Sequence, residues 1–278
     1  MEAGPGLRRG AVPRRDFGAV SAALPFVLAK FSTYRAFAGA NVASVLGDKM
    51  PRTSELQANT LASTVFFNRG DHFVAMPLPR EAQFAPAFAV CVADMDGDGS
   101  EDVFLGQNFF ATQPETPRLD AGRGLWLKGD GRGNLTPVPG QESGVKVYGE
   151  QRGAALGDYD GDGRVDLVVT QNGAETKLFH NVSARPGLRV KLKGPPGNPQ
   201  GIGAQIRLVF GRRSGTVREI HAGSGYWSQD SAVQVLAAPA SATDLWIRWP
   251  GGRVTTTPLS KLEGELTVDS TGKAVSSR

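Results

Sequence analysis

The 278-residue chain has one cysteine, Cys91, so no internal disulfide can staple it and a cystine-held miniature fold is excluded. Cys91 sits in the apolar run Ala87-Phe-Ala-Val-Cys-Val-Ala93, which marks it as a small core residue rather than a nucleophile. Histidine is scarce too: His72, His180 and His221 are far apart and in no zinc spacing. There is no Gly-x-Ser-x-Gly elbow, no Gly-x-x-x-x-Gly-Lys phosphate loop and no Gly-x-Gly-x-x-Gly entering a helix. The usual hydrolase and nucleotide-binding constellations are therefore missing. His221 near Glu219 is the one acid-base pair in view, and residues two apart on a strand simply share a sheet face. No apolar stretch is long enough to span a membrane, because the run Gly18 to Ala29 is broken by Pro25 and closed by Lys30.

Glycine, by contrast, is abundant at 36 residues, and with 18 prolines it indicates turn-dense β structure. Within that background an acidic nonapeptide occurs twice, as Asp94-Met-Asp-Gly-Asp-Gly-Ser-Glu-Asp102 and as Asp158-Tyr-Asp-Gly-Asp-Gly-Arg-Val-Asp166. Each copy sets carboxylates at positions 1, 3, 5 and 9 and glycine at 6, a spacing that wraps oxygen ligands around a hard cation. Two calcium sites are expected. One takes Asp94, Asp96, Asp98, the Ser100 carbonyl and Asp102; the other takes Asp158, Asp160, Asp162, the Arg164 carbonyl and Asp166. Four carboxylates in nine residues repel one another, so the metal is expected to form part of the fold. An EF-hand would place Glu at position 12, where Leu105 and Val169 stand, so these are loops at strand-to-strand bends.

The charge follows the loops. Residues 1–67 carry 8 basic and 4 acidic side chains, 68–180 carry 10 and 17, and 181–278 carry 13 and 6. The basic residues at both ends are scattered, with no helix or aromatic-basic motif to organise them, so nucleic acid is not an expected partner.

The repeat extends past the loops. An offset of 64 that aligns Asp94 with Asp158 also aligns Gln107-Asn108 with Gln171-Asn172. A hairpin-like stretch precedes each loop, Phe67 to Phe73 in one unit and Leu127 to Leu135 in the other. Several short strands per unit at this period predict propeller blades. About two blades are present where four to eight normally close a ring, so further blades in a longer chain or a neighbouring chain are expected to cover the exposed faces.

Around these units the expected domains are residues 1–60, with short helices, and 61–183, the two blades; residues 184–270 form a β domain. Tyr34 to Leu46 has helical apolar spacing, and Leu61 to Phe67 reads as a strand. Arg14-Arg15-Asp16-Phe17 ahead of the apolar run superficially resembles a twin-arginine export signal, and that alternative stays open beside a folded helical segment. In the C-terminal part, strands are expected at Leu188–Leu192, Ala204–Phe210, Thr216–Ala222, Val233–Leu236, Asp244–Trp249 and Leu266–Val268. Period-two alternation puts Leu245, Ile247 and Trp249 on the core face and Trp246 with Arg248 on the other.

These features together resemble FG-GAP or VCBS-type repeat proteins that end in an ASPIC/UnbV domain, the cartilage acidic protein-like family. The resemblance covers about residues 31–255. On the repeat side it rests on the two acidic loops, their Gln-Asn turns, Pro77-Leu-Pro79, Glu81-Ala-Gln83 and Arg152-Gly-Ala154. On the C-terminal side it rests on Asn198-Pro-Gln-Gly-Ile-Gly-Ala204, Gly223-Ser-Gly-Tyr-Trp-Ser-Gln229 and Trp246-Ile-Arg-Trp-Pro-Gly-Gly252. One departure is that Val233-Gln-Val-Leu-Ala237 replaces the His-Phe-Gly-Leu-Gly-like stretch many relatives have. The resemblance implies an all-β chain: a partial β-propeller, a short helical N-terminal segment and a C-terminal β-sandwich-like domain. It further implies an extracytoplasmic location, whether secreted, periplasmic or cell-surface, and adhesion or ligand binding rather than catalysis. It supplies no catalytic residues to carry over.

For the ligand surface the candidates are Tyr226, Trp227 and Trp246, whose flat rings suit a protein or glycan. Sealing of the C-terminal domain against the blades is the competing use of the same rings. Arg69-Gly70-Asp71 spells an integrin-recognition tripeptide but occupies a hairpin turn, and Asn181-Val-Ser183 is a formal glycosylation acceptor. The alternative function is a carbohydrate-active enzyme, a polysaccharide lyase or hydrolase, whose sign would be a cleft gathering Lys, Arg or Tyr beside the loops.

Overall fold

The computed structural model of the chain describes residues 3–4, 10–114, 116–237, 241–259 and 264–275. It divides into two compact units, residues Met1–Leu61 with Gln113–Glu115, and the remainder. In the first unit, β1 (Ala3–Gly4) pairs with β2 (Val12–Pro13), and three short helices follow, α1 (Phe17–Ala23), α2 (Tyr34–Ala38) and α3 (Val42–Leu46). Each helix starts where a side chain can take an orphan amide: Asp16 accepts from Ala19 N at 2.8 Å, Thr33 from Ala36 N at 3.1 Å and Asn41 from Ser44 N at 2.8 Å. The Asn41 cap divides the stretch Tyr34 to Leu46, whose apolar spacing is helical, into two short helices. Phe17, Val20, Val27, Phe37 and Val45 form this unit's own core, so the apolar run Gly18 to Ala29 is folded as α1 and a 3-10 turn.

The second unit is all β apart from the single-turn α4 (Gly140–Ser143) and a 3-10 turn. Hairpin β3 (Thr64–Asn68) and β4 (Phe73–Pro77) comes first. Next is a four-stranded antiparallel sheet in sequential order, β5 (Ala87–Ala93), β6 (Asp102–Gln107), β7 (Leu125–Gly129) and β8 (Leu135–Val138). A three-stranded sheet of the same up-and-down kind follows, β9 (Glu150–Gly157), β10 (Asp166–Asn172) and β11 (Ala174–Phe179). These sheets carry the two acidic loops and are termed the first and second blades. They share one core, in which small residues of β5 (Ala89, Cys91, Ala93) lie with Ala154 and Leu156 of β9 beneath Phe104 and Val169. Burial pushes the Cys91 thiol up to about 12, with the Asp230 charge adding to it, so Cys91 is an inert core residue.

The hairpin Leu127 to Leu135 (β7–β8) belongs to the sheet of the acidic loop that precedes it, not to the loop that follows. Each blade therefore begins with the strand entering its acidic loop, half a repeat later than the sequence phrasing suggested.

The remainder is a sandwich of two sheets. One has the order β16 (Gln234–Leu236), β12 (Leu188–Lys193), β19 (Glu265–Asp269), β20 (Ala274–Val275), with β12 and β19 parallel. The other joins β13 (Gln205–Phe210) to β17 (Asp244–Arg248) and β18 (Val254–Pro258), with β14 (Arg213–Ser214) and β15 (Arg218–Glu219) on the outer side of β13. Leu188, Val190 and Leu192 of one face meet Ile206, Leu208, Leu245 and Ile247 of the other, and Trp249 closes the core as the alternation required. The expected strand Thr216–Ala222 shrinks to Arg218–Glu219, because Gly215 and Ile220 hydrogen-bond individually to Leu208 and Ala204 without a continuous ladder.

Candidate cation loops and aromatic surface

Both acidic nonapeptides lie where β5 turns into β6 and β9 turns into β10, and they have nearly the same internal wiring. The first aspartate of each folds the loop around itself. Asp94 accepts from the amides of Gly97 (2.8 Å), Asp98 (3.0 Å) and Gly99 (2.8 Å), and Asp158 from those of Gly161 (2.8 Å), Asp162 (3.1 Å) and Gly163 (2.8 Å). The ninth residue ties the loop to its sheet. Asp102 accepts from Met95 N (2.9 Å) and Gly129 N (2.8 Å), and Asp166 from Tyr159 N (3.1 Å) and Asn181 N (2.8 Å). Carboxylate oxygens of positions 1, 3 and 9 converge in each loop, Asp94 with Asp96 and Asp102, Asp158 with Asp160 and Asp166, all within 4.8 Å.

The fifth-position carboxylates part company from these trios. Asp98 lies 2.9 Å from Lys128 Nζ, which also contacts Asp96, while Asp162 faces Arg164 Nη1 (2.5 Å) and His180 Nε2 (3.7 Å). Asp160 lies 3.0 Å from His180 Nε2. Lys128 and Arg164 thus offset part of the repulsion that the spacing implied. The remainder shows in Asp102: burial first, then the charges of Asp96 and Asp94, push its carboxyl up to about 6 against the pull of its two amide donors. Burial also raises Asp94 and Asp166. Asp162, although penalised by burial, is lowered by its Arg164 contacts, and Asp98 likewise by Lys128 and Ser100. A trio of crowded, desolvated carboxylates fits a hard divalent cation, which would restore the charged form.

The sandwich domain grips both loops. Arg218 Nε and Nη2 make a bidentate pair with Glu101 of the first loop at 3.0 and 3.1 Å. Arg189 Nε is 3.0 Å from Asp158 Oδ2, a charge contact in which the N–H is not aimed at the oxygen. The intervening segment crosses both loops: Arg185 N donates to Asp96 O (3.1 Å), Gly187 N to Gly163 O (2.8 Å), and Arg164 Nε to Ala184 O (2.8 Å). Asn181 of the glycosylation acceptor donates its amide to Met95 O (2.7 Å) and Val165 O (3.0 Å), so that side chain joins one loop to the other. A cavity of about 200 Å³ lies beside the first loop among Asp98, Glu101, Arg185, Phe210 and Arg218.

The aromatic candidates separate. Trp227 is 92% exposed and sits in the left-handed region (φ 50°), unusual for a bulky residue. Its ring centroid is 6.2 Å from that of Tyr226, which stands 6.3 Å edge-on to Phe88. Arg152 stacks on Phe88 at 3.9 Å and on Phe109 at 5.1 Å, extending the patch beyond the aromatic residues of the Gly-rich turn. Trp246 takes no part in this patch; it is half-buried under Arg207 at 4.3 Å on the sandwich. Docking of the Gly-rich turn uses polar bonds to β9 instead: Ser231 N donates to Leu156 O (2.8 Å), and the Asp230 carboxylate accepts from Leu156 N (2.7 Å). In the hairpin, Arg69 covers Phe67 at 5.3 Å and Asp71 pairs with His72 at 2.7 Å.

Residues 194–275 match the family model described as ASPIC and UnbV. That match covers the C-terminal sandwich from the end of β12 onward. Over 226 residues, 78% of this chain and 32% of the relative, the sequence is 25% identical to cartilage acidic protein 1 of Xenopus tropicalis. Over 179 residues, 58% of this chain and 16% of the relative, it is 28% identical to integrin alpha-4 of Xenopus laevis. The chain therefore spans about a third or less of the curated relatives it matches. The resemblance to FG-GAP-type propeller proteins with an ASPIC/UnbV domain is borne out, as is the all-β fold. No helix among the described residues is long and apolar enough to cross a membrane.

Proposed function

We propose that this chain is a calcium-binding, extracytoplasmic module for adhesion or ligand binding, not an enzyme. The observation that carries this reading is the duplicated loop: the same three carboxylates converge at equivalent strand bends in two blades. One calcium ion per loop is held by Asp94, Asp96, Asp98, Asp102 and the Ser100 carbonyl, and by Asp158, Asp160, Asp162, Asp166 and the Arg164 carbonyl. Because the ASPIC/UnbV domain and its lead-in are hydrogen-bonded to those loops, cation loading stiffens the domain junction as well as the blades. The ligand, protein or glycan, meets Tyr226 and Trp227. Exposed apolar side chains on β3 to β5 (Phe66, Phe73, Val74, Val90, Val92) are where further blades, from a longer chain or a neighbour, would pack.

Extracellular calcium modules bind at ~0.1 to 1 mM, so calcium at about ten times that constant adds roughly 1.4 kcal/mol per site. Thermal unfolding with calcium and with chelator tests this, and an unchanged midpoint would refute it. The cavity with Arg185 and Arg218 beside the first loop is the one feature favouring a carbohydrate-active enzyme. At about 200 Å³ it is smaller than the ~300 to 1,000 Å³ of ordinary ligand pockets. Arg218 is moreover committed to Glu101. Product release from a polysaccharide panel would reverse this choice.

A further inference from the structure

The two loops differ at one equivalent position, and sequence offset hides the equivalence. Val103 pairs with Leu127 in the first blade and Leu167 with Phe179 in the second, so Lys128, within β7, and His180, just past β11, occupy the same register position. The clamps agree: the next amide, Gly129 N or Asn181 N, reaches Asp102 or Asp166. Both side chains aim at carboxylates 3 and 5 of their loop. Their chemistry is opposite. An ammonium has three donors and no lone pair, so Lys128 can only stand in for a cation; a neutral imidazole offers Nε2 as a ligand.

We propose that the second loop carries a mixed-donor position in which Asp160, Asp162 and His180 Nε2 bind a first-row transition-metal ion, a position that Lys128 denies to the first loop. It goes beyond the calcium reading and draws on two of the same carboxylates, Asp160 and Asp162, so the two ions are alternatives at this loop. The three ligand atoms lie within 4.8 Å of one another, and His180 is partly exposed, leaving a path for the ion and sites for water. The Tyr159 ring stands edge-on to the imidazole at 5.6 Å. Arg164 competes for Asp162, so the ion must displace that contact. One nitrogen with two carboxylates suits Mn²⁺, Co²⁺ or Zn²⁺, whereas calcium draws little from imidazole.

The test is titration of the untagged full chain with Co²⁺, read by visible absorption, alongside calcorimetric titration with Ca²⁺. His180→Ala and His180→Lys should weaken Co²⁺ binding about tenfold or more and shift its band, while Ca²⁺ affinity changes less than about threefold. Lys128→His should create a second Co²⁺ site with the same band. A combined His72→Ala/His221→Ala variant should keep the signal. Calcium binding with a Co²⁺ spectrum indifferent to His180 would overturn this inference alone. Failure of Ca²⁺ to bind at either loop would instead defeat the calcium reading, and a His180-dependent Co²⁺ band would still uphold the mixed-donor position.

Discussion

The two acidic loops share a backbone and differ in what surrounds it. In the first, Lys128 bridges the third and fifth carboxylates, and the sandwich holds Glu101, which is outside the ligand set, through Arg218. In the second, His180 and Arg164 do the bridging, and the sandwich reaches a ligand-set carboxylate, Asp158, through Arg189. The nonapeptide therefore dictates the fold of the loop, while its electrostatics come from strands far along the chain. Near-identical motifs are consequently expected to behave as unequal sites.

The largest effects should come from the ninth-position clamps. Asp102→Ala strands two buried amide donors, Met95 N and Gly129 N, and should cost about 2 to 4 kcal/mol in urea unfolding. Asp166→Ala should follow the same logic with a smaller loss, since Asn181 N lies nearer the surface. Equal losses at the two positions would show that burial does not distinguish the loops.

Next come the fourth-position glycines. A Cβ on Gly97 would lie 2.4 Å from the Arg185 carbonyl, which is backbone, whereas on Gly161 it meets Arg189 Nη1, the far end of a side chain, at 2.8 Å. Both have positive φ, +74° and +83°, and so share the left-handed penalty of about 1 to 2 kcal/mol. Gly97→Ala should exceed Gly161→Ala by about 1 kcal/mol in thermal unfolding, because only the second clash is relieved by a side chain swinging away.

The pH response sharpens the contrast further. Asp102 is raised by burial to about 6, so its native-state preference is for the proton. In the metal-free chain its contribution to stability is full below the unfolded value near 3.8 and is lost as pH rises through about 6. A cation needs the deprotonated form, so calcium affinity at the first loop should climb by up to about tenfold per unit below 6 and level off above it. Calorimetric titration between pH 5 and 7.5 checks the slope.

The smallest effect on stability belongs to Trp227. With 92% of its surface exposed, Trp227→Ala should change unfolding by less than about 0.5 kcal/mol while removing glycan or protein capture on an array. Loss of stability instead would assign the ring to packing.

Much of this was legible in the sequence. The loop boundaries and the two-sided strand Leu245-Trp-Ile-Arg-Trp249 follow from local chemistry, carboxylate spacing and period-two alternation. What escaped was long-range pairing. Twenty-four residues separate Val103 from its partner Leu127, but twelve separate Leu167 from Phe179, so the 64-residue offset that aligns the loops fails by the third strand and hides Lys128 opposite His180. The threonine-rich β18, Val254–Pro258, followed a Pro-Gly-Gly turn and lacked apolar alternation; it is a strand because Asp244 to Arg248 supplies the ladder. The patch of Phe88, Arg152 and Tyr226 joins three distant segments, and no local pattern announces such a meeting.

Anomalous scattering from crystals grown in millimolar calcium tests the central claim most directly. Two peaks are expected, one among Asp94, Asp96 and Asp102 and one among Asp158, Asp160 and Asp166. Density showing only water, with Lys128 and His180 still against their carboxylates, would contradict it.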